Sequence, residues 1–212
     1  MTTNPPTPES TVFLAWTDPA LAGDTDAELA QTSVLQCLAL VLCYVRGHPG
    51  TPADQLWSEA LSQLPLISTG AQNTQTETGG QLAALTGSVA RDLADLAGAG
   101  TTGAGAVAAL LPVAADATTV RCNVVQTVVS RRSGPVTAAI THLVLTGDAV
   151  EHPSLPPLPP RREWSLTQTV SVLTLDYQQL TDPATRASWD ELMAGVDTAQ
   201  VSASPSYHRL TL

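Results

Sequence analysis

Residues 119–130, TVRCNVVQTVVS, and 135–147, PVTAAITHLVLTG, flank the tetrapeptide RRSG (131–134). Both runs are rich in Val and Thr, whose branched side chains suit a pleated surface. A short polar segment with Ser and Gly between two such runs predicts a β-hairpin. Two strands of this length are not stable alone; they need further strands and a covering layer. With the turn centred between Arg132 and Ser133, His142 stands opposite Asn123 and Cys122 points to the other face. A slip of one residue would reverse the faces.

Downstream, residues 151–160 are proline-rich. Residues 164–177 predict a third long strand, in which Thr167, Thr169 and Ser171 alternate with Gln168, Val170 and Val172. One face of that strand is therefore hydroxyl-rich and the other mostly apolar. Asp182 caps a predicted helix over 183–193, and residues 206–212 predict a last strand.

Upstream, residues 11–16 (TVFLAW) predict a short strand that ends at Thr17-Asp18-Pro19. Thr25 and Glu28 have capping-box spacing, which starts a helix running to Arg46 and stopping at Gly47. This helix is apolar nearly all round and is expected at the centre of the protein. Its most apolar stretch, 34–45, is shorter than the roughly 20 residues that span a bilayer. A second helix begins at Thr51-Pro52, with Leu56, Trp57, Ala60, Leu61 and Leu64 at helical spacing, and Pro65 ends it. Residues 68–80 (STGAQNTQTETGG) are expected to form a polar loop. Thr78 and Gln81 suggest a capping box for a third helix with the stripe Leu82, Leu85, Val89, Leu93 and Leu96. A glycine-rich connector, 98–105, then leads to a short helix ending at Pro112.

The expected architecture is a single α+β domain, with a mostly antiparallel sheet of 4–5 strands flanked by helices. Its helical part covers 24–112 and its strand-rich part 118–212. A Pro- and Thr-rich arm, residues 1–10, precedes the domain. In its order of elements (an early strand, helical hairpins, then long strands) the stretch 11–178 resembles the cytolytic delta-endotoxins. The resemblance implies a membrane-active, pore-forming protein and carries over no functional residue. The C-terminal helix and strand depart from that order.

The chain has 212 residues, of which 43% are apolar and 13% charged, against about 25% charged in ordinary domains. It contains no lysine. The net charge of −10 argues against binding nucleic acid through a basic face. The first ten residues hold neither positive charge nor apolar core, so the expectation is a cytoplasmic or particle-associated chain that is not exported by a signal peptide. Cys37, Cys43 and Cys122 are read as reduced, buried thiols, since no spacing matches a zinc site.

Cys122 and His142 lie on paired strands without a third orienting group, so they read as packed side chains rather than a nucleophile and its base. Asp92 and Asp95 share a helix face beside Arg91. Asp24 and Asp26 flank a helix start, where the dipole favours negative charge. Asp190 and Glu191 diverge. None of these marks a general acid or base. His48, His142, His152 and His208 have no metal-binding spacing, although Glu151 and His152 are neighbours. Gly98, Gly100 and Gly103 spell G-x-G-x-x-G, but a helix precedes them where a phosphate-binding turn needs a strand. No catalytic, cofactor-binding or metal-ligating residue is assigned, and no cofactor is expected.

Residues 156–161 (PPLPPR) and Arg162 resemble polyproline ligands with a basic anchor, which makes Pro156, Pro159, Arg161 and Arg162 candidate partner-binding residues. The low-charge, Thr- and Ala-rich surface, the proline-rich arm and the terminal strand together lead to the expectation of a non-enzymatic structural or assembly protein. Such a protein would self-associate or join other subunits in a phage-like or other multi-subunit particle, without nucleic acid or membrane partners. The alternatives are a membrane-active, toxin-like protein that rearranges its long strands, and an enzyme or small-ligand binder. A pocket joining His142 or Cys122 to a carboxylate would favour the last of these.

Overall fold

The structure is a computed structural model that describes residues 10–114, 117–131, 134–153 and 161–212. The proline-rich arm, apart from Ser10, and residues Pro156 and Pro159 lie outside the described residues.

The hairpin forms as expected. Strands β3 (Thr119–Ser130) and β4 (Thr137–His152) pair antiparallel. β5 (Arg161–Leu175) pairs antiparallel with β4, and β2 (Ile67–Gly79) with β5. β1 (Ser10–Thr17) adds to β3 in parallel, and β6 (Tyr207–Thr211) adds to β1 in parallel. The result is an α+β domain around one mixed, six-stranded sheet in the order β2-β5-β4-β3-β1-β6.

Two helical hairpins cover opposite faces. On one side lie α1 (Thr25–Gly47) and α2 (Ala53–Gln63), joined by the short C-terminal helices α5 (Tyr177–Leu180), α6 (Pro183–Leu192) and α7 (Ala199–Ser202). Phe13, Val125, Ile140 and Leu173 meet Val34, Leu38 and Trp57 there. On the other side lie α3 (Leu82–Ala97) and α4 (Gly100–Leu110), where Leu14, Trp16, Val124, Leu143, Leu145 and Trp164 meet Leu85, Val89, Leu93 and Val107. Alternation along each strand sends successive residues to the two layers, which is why each hairpin finds an apolar face.

Several expectations need correction. The segment 68–80 is a strand, not a loop. As an edge strand it has no buried face, so its residues are polar on both sides and the alternation that marks a strand is missing. The β3–β4 register is shifted by two from the expected one. His142 pairs with Val125, and Asn123 with Val144. A shift of two preserves faces, so His142 and Asn123 still share one. The cap of α1 is Asp24 rather than Thr25; its carboxylate accepts from the backbone N–H groups of Asp26 and Ala27, each at 3.0 Å. Arg131, at the end of β3, pairs with the same carboxylate and so ties the β-hairpin to the start of α1. α1 is not buried all round: nine of its residues are buried, and Cys43 and Tyr44 are exposed.

The glycine-rich segment is not a flexible connector. Gly98 closes α3 in the left-handed conformation, with φ of 82°, and α4 starts two residues later. A Cβ on Gly103 would lie 2.5 Å from the Ala99 Cβ and 2.9 Å from the Trp16 ring. Here glycine allows a helix to lie close against β1.

Candidate functional site

The hydroxyl-rich face of β5 decides where the site lies. Thr169 and Ser171 point to the α1–α2 side of the sheet, beyond the apolar core of that side. There α2 does not present a complete apolar stripe. Leu56, Trp57 and Leu61 are buried, but Asp54, Ser58 and Ser62, spaced four apart, line a second stripe. Two polar surfaces thus face each other across a cavity of about 550 Å³. The floor is His142 and Val144 of β4 with Thr169, Ser171 and Leu173 of β5. The walls are α2, with Gln55 and Glu59, and the edge strand β2, with Thr69 and Gln72.

His142 is 1% exposed and forms a 3.1 Å hydrogen bond through Nε2 with the Asn123 side-chain oxygen. Burial pushes its imidazolium down to about 4, and the nearby Asp54 charge pulls in the other direction. The imidazole is therefore neutral at pH 7. The Trp57 ring lies 6.2 Å from the His142 ring and 5.7 Å from Phe13. Two buried atoms of α2, Asp54 Oδ1 and Trp57 Nε1, have no hydrogen-bond partner among the described residues. They are three residues apart and so share a helix face.

This pocket joins His142 to carboxylates, and sequence reasoning had set the first and missed the second. Asp54, Gln55, Ser58 and Glu59 drew no attention because they read as the solvated side of an amphipathic helix. The one signal in the sequence was the hydroxyl alternation in β5. Cys122 takes no part. It lies on the opposite face, within the α3–α4 core, and burial raises its thiol to about 12, so no thiolate nucleophile forms near neutral pH.

The other candidates fall elsewhere. Asp92 and Asp95 line a hollow of about 440 Å³ between α3 and the β2–β5 ribbon, where Asp92 accepts from Gln168 Nε2 at 2.8 Å. Asp190 pairs with Arg186 one helical turn away at 2.8 Å. His152 and Glu163 meet at 3.1 Å across β4 and β5, and His48 Nδ1 lies 2.8 Å from the Tyr44 carbonyl. Among the described residues no three His, Cys, Asp or Glu are grouped to hold a metal ion. Arg161 and Arg162 open β5, and Arg162 donates to Glu151 at 3.0 Å across the ladder.

The α3–α4 hairpin is held by polar ties as well as apolar contact. The Trp16 indole donates to Gln126 Oε1 at 2.8 Å, and Gln126 Nε2 donates to the Leu93 carbonyl at 3.0 Å, all of it buried. Ser88 of α3 donates to Glu77 of β2 at 3.3 Å.

No family model matches this chain, and no curated protein matches its sequence. Among solved structures it is similar to the Evf virulence factor, with a TM-score of 0.54 and 11% identity over 96% of this chain and 87% of that one. A delta-endotoxin aligns with a TM-score of 0.44 and 10% identity, covering 82% of this chain and 87% of that one. The activated Cyt2Ba monomer from Bacillus thuringiensis subsp. israelensis aligns with a TM-score of 0.42 and 11% identity, covering 79% and 97%. The expected role as a structural component of a virion-like particle is overturned: a solved structure similar in fold over 96% of this chain is a virulence factor. The features behind that expectation have local explanations. The terminal strand is β6, paired with β1, and hydroxyls of β2 and β5 pair with each other, Thr74 with Thr169 and Thr76 with Thr167. At 11% identity the likeness to the Evf virulence factor is one of fold.

Proposed function

We propose that this protein is toxin-like and membrane-active, and that its long strands enter a lipid bilayer after a helical layer moves away. One observation carries the reading. The contiguous strands β3, β4 and β5 have 12, 16 and 15 residues, whereas a tilted bilayer-spanning strand needs about 9–11. Their two faces also differ in polarity. Toward α3–α4 they present Val120, Val124, Leu143, Leu145, Leu166, Val170 and Val172. Toward α1–α2 they present Asn123, Thr127, His142, Thr167, Thr169 and Ser171 beside the apolar Val125, Val129, Ile140 and Leu173 of the α1 core, so this face is the more polar of the two. An apolar face toward lipid and a polar face toward a lumen is the pattern of a membrane barrel wall. The fold shared with a virulence factor supports the same direction. α1 also has the length and apolar composition to cross a membrane, yet it contributes nine buried residues to the core. The α3–α4 hairpin covers the mainly apolar face of β3, β4 and β5, so despite its close packing it is the layer that has to leave for that face to meet lipid.

The test is dye release from vesicles by a Ser88→Cys/Glu77→Cys variant built on Cys43→Ser. Ser88 Oγ lies 3.3 Å from Glu77 Oε1, so a bridge between cysteines at these positions, direct or through a short bis-thiol linker, would pin α3 to β2. The expected result is release by the reduced form and none by the oxidised form. Absence of release by the unmodified chain across zwitterionic, anionic and sterol-containing vesicles would sink the reading.

A further inference from the structure

The cavity under α2 calls for a different explanation from the strands. Helices that cover sheets normally fill the space between with apolar side chains at close-packed density. Here Asp54, Ser58 and Glu59 face Thr169, Ser171 and Gln72 across about 550 Å³, a size within the ordinary range of small-molecule sites. Every one of these six side chains can accept a hydrogen bond, and four can also donate. The floor adds an apolar strip, Val144 and Leu173.

Three ligand chemistries can be compared with this lining. An anion, such as a phosphate or a carboxylate, would meet Asp54 and Glu59 with no Arg among the described lining residues, so repulsion disfavours it. A cationic amine would satisfy the carboxylates but offers only donors. The lining needs both kinds of group, since Asp54 Oδ1 requires a donor while Ser58, Gln72, Thr169 and Ser171 can also donate to an acceptor. A hydroxyl supplies both at once. A ring that carries several hydroxyls on its edge and C–H groups on its face matches the polar walls and the apolar strip together.

We infer that the cavity between α2 and the β4–β5–β2 surface is a binding site for a neutral polyhydroxyl ligand, a mono- or disaccharide unit. Asp54 and Glu59 accept from sugar hydroxyls, Thr169 and Ser171 exchange hydrogen bonds with them, and Val144 and Leu173 bear the apolar face. The same unit occurs free or as the head of a glycolipid or glycoprotein. The inference stands apart from the membrane reading, because binding to the free sugar requires no bilayer.

The experiment is saturation-transfer NMR followed by calorimetry on the full chain. The probes are glucose, galactose, mannose, N-acetylglucosamine and their common disaccharides, with spermidine, choline and inorganic phosphate as cationic and anionic probes. The expected result is binding of at least one neutral sugar and of none of the charged probes. Ser58→Leu, which fills the cavity from an exposed helix position, should weaken that binding at least tenfold. Glu59→Gln, a near-isosteric change on the exposed side of α2, should weaken it severalfold and serves if Ser58→Leu fails to fold. Binding of no sugar, binding of charged probes instead, or sugar binding unchanged in the folded variants would overturn the inference. Vesicles with and without a glycolipid bearing the bound sugar then distinguish a surface source from a free one. Dye release, measured separately, keeps failure of the pocket distinct from failure of the membrane reading.

Discussion

The two helical hairpins cover the same sheet in opposite ways. α3–α4 lies so close to β1 that Gly103 has no room for a methyl group, and a buried glutamine connects helix and sheet. α2 stands off from β4 and β5, leaves a cavity of about 550 Å³, and buries two polar atoms without partners among the described residues. Both hairpins are short-range units with similar helices, so propensity does not explain the difference. The sheet residues beneath them do. Leu143, Leu145, Trp164 and Leu166 lie under α3–α4, and His142, Thr169 and Ser171 under α2. A well-filled interface resists change in volume, while a polar void accommodates a guest.

Three perturbations would break or sharpen this contrast. The largest is Gly103→Leu, which places a branched side chain against Ala99 and Trp16. Overpacking of this kind should cost about 3 kcal/mol in urea unfolding, and proteolysis should begin in α3–α4. A loss below about 0.5 kcal/mol would mean that the hairpin is not held tightly. Next is Gln126→Leu. It leaves the Trp16 indole N–H buried without an acceptor and should cost about 2–3 kcal/mol. Trp16→Phe in the same background should recover part of that loss, because it removes the orphaned donor.

The smallest change concerns His142 and pH. Its folded pKa of about 4 lies below the ordinary value of 6.5, so between these values the unfolded chain binds the proton and the folded chain does not. Stability is therefore full above pH 6.5 and declines as pH falls toward 4. The loss from this group between pH 7.5 and pH 5 is about 2 kcal/mol. His142→Gln should flatten that slope in urea titrations. An unchanged slope would show that His142 is wetter than its burial indicates, and would weaken the account of the cavity floor.

Much of the fold was legible in local patterns. The β3–β4 hairpin, the long β5 and the stripe of α3 follow from periods of 2 and 3.6 residues and from turn residues. β2 was not legible, because Gln72, Thr74 and Thr76 at a sheet edge need no apolar face. The parallel additions of β1 and β6 were not legible either. They join segments far apart in sequence, and nothing in TVFLAW specifies its neighbour. Half of the candidate site was visible as the Thr167-Thr169-Ser171 alternation and His142. The other half, on α2, reads as ordinary solvated helix until the helix is placed.

The sequence by itself determined five of the six strands, the longer helices and which face of β5 carries hydroxyls, since these depend on neighbours a few residues away. Only the tertiary structure decided that this face meets Asp54, Ser58 and Glu59 across a cavity, and that the opposite face is sealed by α3–α4. Sheet order and register set those meetings, and they depend on pairings such as β1 with β3, 112 positions apart, and β2 with β5, 85 to 108 positions apart, where no local pattern reaches.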